Sequence, residues 1–266
     1  YKRQTYYTTY IFYLSNNLIC LSLTVLVQLE TKQNKHRYKK RKNPTIGSMD
    51  WSKLPYTTKD TATSLSTFLK QIKATTEAEL RLGKASNSSF NAFVDESDFL
   101  QLLSFLKSFS QWEKETPFER SIDYFFKWGD RTIRSSVTTL HNQLKIDHVY
   151  KDTTASLILR LSDIDVRISL KEEVRVHDLP PFTETDFVRI KERKSFFYKH
   201  WRYDFTKVWQ AATVSAAEQI PTPRFEVEVE CLKPLDILRQ ENHLYLAVDF
   251  IQKIRSLFPN ERVVLS

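Results

Sequence analysis

The stretch RFEVEVEC, residues 224–231, alternates glutamate with apolar side chains, placing Glu226, Glu228 and Glu230 on one side and Phe225, Val227 and Val229 on the other. A β-strand sends successive side chains to opposite faces, so the segment reads as a strand with one acidic and one apolar face. A lone strand of this kind ordinarily turns its charged face to solvent from a half-buried sheet. The rest of the chain decides whether it does so here.

Other segments alternate in the same way. TEAELRL (76–82) puts Glu77, Glu79 and Arg81 opposite Ala78, Leu80 and Leu82. VRIKERKSF sets Arg189, Lys191 and Arg193 against Val188 and Ile190, and DVRISLKEE sets Asp165, Arg167, Ser169, Lys171 and Glu173 against Val166, Ile168 and Leu170. In YDFTKVW, Asp204 and Thr206 oppose Tyr203 and Phe205. The charged faces are segregated by sign, two acidic strands and one basic, whereas surfaces shaped for solubility mix signs. The apolar faces need a cover. Helical spacing supplies it in SDFLQLLSFLKSFSQW (97–112), capped by Ser97 or Asp98, with Phe99, Leu102, Leu103, Leu106 and Phe109 on one side. A second helix is expected over 240–258, with Leu244, Ala247, Val248, Ile251 and Ile254 on one side, and a short one near 63–72.

Between 120 and 231 the chain breaks into about eight short β-branched or aromatic runs, LKIDHVYK and ASLILRL among them as separate strands, with a hairpin at Gly129-Asp130. Many antiparallel strands with few helices suggest an α+β fold, a barrel or a sandwich with covering helices. The faces segregated by sign favour the expected arrangement, a closed antiparallel eight-stranded β-barrel with its apolar side outward under the helices and its charged side lining the lumen. Carboxylates gathered in a lumen stay ionised only beside cations. All-oxygen ligands select a hard divalent ion, Mg²⁺ or Mn²⁺, and a basic strand opposite suits phosphate. Together they are equipment for cleaving a phosphoanhydride bond.

Composition removes several alternatives. The 266 residues contain three glycines, too few for phosphate loops or dinucleotide fingerprints, and Cys20 and Cys231 form no zinc spacing. The formal net charge of +8 resides wholly in residues 1–48, so a uniformly basic binding domain is not supported. That leader includes an apolar run at 10–29 and the basic KHRYKKRK at 35–42, and the only methionine is Met49. Translation is expected to start at Met49, with 1–48 a non-native leader, disordered, or else a targeting segment. A membrane role is expected only if that leader is real. Residues 49–75 read as a polar N-terminal extension and 76–266 as the barrel domain.

These residues resemble the fungal-type, metal-dependent RNA 5′-triphosphatases of mRNA capping, within the triphosphate tunnel metalloenzymes. EAELRLG is similar to the first glutamate strand, SIDYFF…RTIRSS to an Asp strand followed by an Arg strand, and IDVRISLKEE to DxRISLxxE. RIKERKSFFY…YDFTKV is similar to RxKxRxSY…DLTxV, and FEVEVE to the closing glutamate strand. The resemblance implies metal-binding walls from Glu77, Glu79, Glu228 and Glu230, with Glu226 and Glu173 catalytic, Glu173 positioning the attacking water. It implies a triphosphate held by Arg81, Arg134, Arg167, Arg189, Lys191 and Arg193. Asp204 and Thr206 would tether basic side chains, and Asp123 would do so for Arg134. Lys151 is a weaker candidate, because HVYKDTTASL departs from the family pattern. The implied reaction removes the γ-phosphate of nascent 5′-triphosphate RNA. The alternatives are a tripolyphosphatase or NTPase, and a non-catalytic phosphate- or RNA-binding barrel. No Lys-x-Asp-Gly guanylyltransferase motif occurs in these 266 residues, and the resemblance implies a separate mRNA guanylyltransferase partner, or a longer polypeptide of which this is one part. Homodimerisation and a nuclear location, cytoplasmic for a viral source, are borrowed expectations.

Overall fold

Eight strands close on themselves because the first barrel strand pairs on both sides. In the computed structural model, which describes residues 56–86, 89–140, 143–161, 163–177, 185–258 and 264–265, β1 (Thr76–Ala85) follows α1 (Tyr56–Leu69). Next come β2 (Phe90–Asn91), α2 (Glu96–Lys107), β3 (Lys114–Glu115), β4 (Glu119–Trp128), β5 (Arg131–Leu140), β6 (Gln143–Arg160) and β7 (Asp165–Arg175). The chain continues through β8 (Phe187–Tyr198), β9 (Trp201–Ala211), α3 (Val214–Glu218), β10 (Arg224–Cys231), α4 (Pro234–Gln240), α5 (His243–Leu257) and β11 (Val264–Leu265). The barrel order is β10-β9-β8-β4-β5-β6-β7-β1, and β1 pairs antiparallel with both β7 and β10. Closure leaves no long edge to be capped. The expectation for residues 1–48 lies outside the described residues, and among the described residues no helix is long and apolar enough to cross a membrane.

The hydrophobic core lies outside the barrel wall. Ala78, Leu80 and Leu82 of β1, Ile168 and Leu170 of β7, and Val227 and Val229 of β10 are all buried there. They form one cluster with Leu65 and Leu69 of α1, Phe99 and Leu103 of α2, and Phe250 and Ile254 of α5. Phe99 lies at the centre, its ring 5.3 Å from Phe205 and 4.8 Å from Phe225. A smaller cluster puts Ala217 of α3 against Val188 and Ile190 of β8. The same alternation that buries valine outward therefore sends glutamate inward.

Four local expectations change. The runs LKIDHVYK and ASLILRL form one strand, β6, because a bulge between Thr153 and Ala155 absorbs one residue where Thr154 donates its hydroxyl to the Leu170 carbonyl at 3.0 Å. Helix α2 starts after Asp95, not Ser97 or Asp98, and ends at Lys107. Phe109 therefore leaves the helix, and Trp112 turns back to donate to the Leu106 carbonyl at 2.8 Å. Residues 240–258 divide into the end of α4 and α5, because the Asn242 side chain caps α5 by accepting from Tyr245 N at 2.9 Å. Finally, the 49–75 segment is more than a polar extension: Ala62, Leu65 and Leu69 of α1 seal the apolar wall.

Candidate active site

The lumen contains a cavity of about 420 Å³, lined by side chains from all eight barrel strands. Register brings the acidic strands together: Glu79 of β1 stands opposite Glu230 of β10, and Arg81 opposite Glu228. On the next pair, Glu226 meets Thr206 and Glu228 meets Asp204. Around the other side, Glu173 of β7 faces Lys151 of β6. Glu77, Glu79, Arg81, Arg134, Glu173, Arg189, Lys191, Arg193, Glu226, Glu228 and Glu230 all line this one cavity. Arg167, Asp123, Asp204 and Thr206 share inward faces behind or beside it.

Each acid is answered by a cation. Arg81 donates to Glu79 at 2.8 Å and pairs with Glu228 at 2.5 Å, while Lys171 also bonds Glu79. Arg189 donates to Glu226 at 2.5 Å, and Lys151 bridges Glu77 at 2.5 Å and Glu173 at 2.8 Å. Arg193 is held by Asp204 at 3.1 Å and donates to the Thr206 hydroxyl at 3.2 Å. Asp204, almost fully buried, also accepts from Ser195 at 2.6 Å and Arg202 at 3.0 Å.

This density of charge sets the protonation states. Burial opposes ionisation of Glu228, but Arg81, Arg193, Lys171 and Lys191 hold its carboxyl well below the usual range. Burial likewise opposes charge on Glu173, and Lys151 and Arg134 outweigh it, so Glu173 stays an ionised acceptor. At the end of β10 the balance reverses. Burial, with Glu77 and Asp204 nearby, pushes Glu230 up to about 7 against the attraction of Arg202. Burial and the crowd of Arg193, Arg134 and Arg189 bring Lys191 down to about 8, although Asp123 supports its charge.

Asp123 differs from expectation. It pairs with Lys191 and accepts from Ser136 at 2.6 Å, whereas Arg134 points toward Glu173 at 3.6 Å. The reason is register: Arg134 stands opposite Phe125, one inward step from Asp123, whose partners are Ser136 and Arg189. Arg167 makes no pair with Asp165, which instead binds Arg160 and the Ala85 amide; the guanidinium rests on Phe90 at 4.7 Å. Lys171, Arg202 and Phe125 join the inner wall without having been singled out. Alternation already puts Lys171 on the charged face with Glu173, though without a role, and it could have found Arg202 on the face of Asp204. Lys151, the weaker candidate, lines the cavity between two glutamates.

Among the described residues no three metal-ligating side chains converge as a preformed cluster. The donor set nonetheless fits a hard divalent cation, being all-oxygen, largely buried and carried on two hydrogen-bonded strands. The basic side fits an oxyanion. The Nε atoms of Arg134, Arg167 and Arg189 are buried and have no hydrogen-bond partner, and phosphate oxygens satisfy such donors.

Comparison with known proteins agrees with this geometry. The family model described as mRNA capping enzyme, beta chain, matches residues 64–264. Among solved structures, the S. pombe RNA triphosphatase Pct1 aligns with a TM-score of 0.62 at 22% identity, covering 80% of this chain and 97% of that one. The Mimivirus capping enzyme triphosphatase aligns with a TM-score of 0.53 at 14% identity, covering 74% and 96%. A search of curated protein sequences finds no match. With the match spanning α1 to β11 and the eight-stranded tunnel in place, the chain belongs to the mRNA capping enzyme beta-chain family, the metal-dependent RNA 5′-triphosphatases of the triphosphate tunnel fold.

Proposed function

We propose that the tunnel performs this family's reaction, removal of the γ-phosphate from 5′-triphosphate RNA, through the side chains named above. The observation that carries this reading is one cavity in which the β1/β10 carboxylates and the β8 cations face each other. Glu77, Glu79, Glu228 and Glu230 would hold Mg²⁺ or Mn²⁺ with Glu226 beside them, and that ion supplies charge neutralisation at the phosphate oxygens. Arg189, Lys191 and Arg193 seat the triphosphate, with Arg81 and Arg134 completing the cationic lining and Arg167 beside it. Asp204 and Thr206 aim Arg193, and Asp123 aims Lys191. Glu173, ionised between Lys151 and Arg134, accepts a hydrogen bond from the water that attacks the γ-phosphorus. The β–γ phosphoanhydride P–O bond breaks, leaving inorganic phosphate and diphosphate-ended RNA.

The match to a capping-enzyme family supports a guanylyltransferase acting on that product, as a separate protein or as another part of a longer polypeptide. The Pct1 complex with the Spt5 CTD supports a further protein partner. Homodimerisation and a nuclear site of action, cytoplasmic for a viral source, belong to the same proposal.

The test incubates the full chain with γ-labelled triphosphate RNA, ATP or tripolyphosphate, with Mg²⁺ or Mn²⁺, beside Glu79→Ala. Expected is metal-dependent phosphate release from RNA that falls at least about 100-fold in the variant. Release that survives the substitution rejects the site, and a preference for tripolyphosphate rejects RNA as the substrate.

A further inference from the structure

Phe125 is out of character with its surroundings. It occupies an inward position of β4, in alternation with Ser121 and Asp123, and lines a cavity otherwise dominated by charge. Its cross-strand partner is Phe187, the first residue of β8, which alternates with Arg189, Lys191 and Arg193. The two rings stack in parallel, with centroids 4.4 Å apart and planes inclined by 13°. Both remain half-buried, so the hydrophobic core does not absorb them: that core lies on the other face of the wall.

Their position along the strands explains what an apolar step could meet. Arg189 is two residues along β8 from Phe187, about 6–7 Å at strand spacing, and Arg134 stands in register with Phe125. The aromatic pair thus begins where the phosphate-binding cations end, at the rim where β8 starts. Inorganic polyphosphate presents only charged oxygens at such a step. A nucleoside triphosphate presents ribose and then a planar base, whose π-face stacks on aromatic rings regardless of sequence.

We propose that Phe125 and Phe187 form the platform for the first nucleobase, and that this platform selects 5′-triphosphate nucleotide ends over inorganic polyphosphate. The inference deepens, and rests on, the RNA 5′-triphosphatase reading. Sequence tolerance suits the task, because stacking accepts any base. The next inward position on β4 is the exposed Lys127, a cation placed to meet the following phosphodiester.

The test compares full-length wild type with Phe125→Ala, Phe187→Ala and Phe125→Trp in steady-state hydrolysis of triphosphate RNA and of tripolyphosphate. Expected is a rise of about 5- to 100-fold in KM for RNA in the alanine variants, with kcat little changed and tripolyphosphate kinetics unmoved. Phe125→Trp should restore KM, which a damaged barrel would not allow. An unchanged RNA KM, or equal losses on both substrates without rescue by tryptophan, overturns the platform alone. Wild type that consumes tripolyphosphate but leaves RNA intact overturns the parent reading instead.

Discussion

Lys191 makes the phosphate clamp titratable within an accessible pH range. It is 7% exposed and pairs with Asp123, while burial and Arg193, Arg134 and Arg189 bring it down to about 8. It is then roughly 90% protonated at pH 7 and roughly 10% at pH 9. The value of kcat/KM reports the free enzyme, so it should fall about tenfold per pH unit above 8, while kcat falls at higher pH because bound polyanion favours the charged lysine. In Lys191→Arg the guanidinium stays charged and the alkaline limb should disappear. In Asp123→Asn the supporting negative charge is gone, so the limb should move to lower pH. Stability carries the opposite sign. The folded pKa lies below that of the unfolded chain, so the unfolded state binds more protons between pH 8 and about 10. Over that window the Lys191 contribution should increase unfolding stability, seen as a difference between wild type and Lys191→Arg in urea titrations. The assay is phosphate release from triphosphate RNA across pH 6–10 at saturating Mg²⁺. A limb near 8 that persists unchanged in Lys191→Arg would refute the assignment.

Two stability predictions follow from burial. Asp204→Asn removes the carboxylate shared by Arg193 and Arg202 while keeping the shape that Ser195 contacts, and should lower unfolding stability by about 3 kcal/mol and raise the KM for RNA. Urea unfolding within 0.5 kcal/mol of wild type would contradict the anchoring role. Phe99→Ala empties the space between the Phe205 and Phe225 rings and should cost about 3–5 kcal/mol in the same assay. A much smaller loss would mean that α2 does not hold the barrel wall.

Alternation in single strands was enough to say which side chains share a face. Glu226, Glu228 and Glu230 against Val227 and Val229 needs only the two-residue period of an extended chain. The sign of each face, and the two long helices able to cover the apolar side, pointed to a charged lumen with its core outside. These properties are local, so they are legible in order along the chain. Which cation meets which acid is not local. Asp123 meets Lys191 and not Arg134, Lys171 reaches Glu79, and Arg202 of β9 crosses to Glu230 of β10. The continuity of β6 through its bulge and the stacking of Phe125 on Phe187 were equally hidden. Each depends on cross-strand register, and in a closed barrel the register of every pair is set by the tilt and stagger that closure demands. The sequence by itself determined the faces and their charges; only the cross-strand register of the closed barrel decided which opposing charges stand close enough to pair.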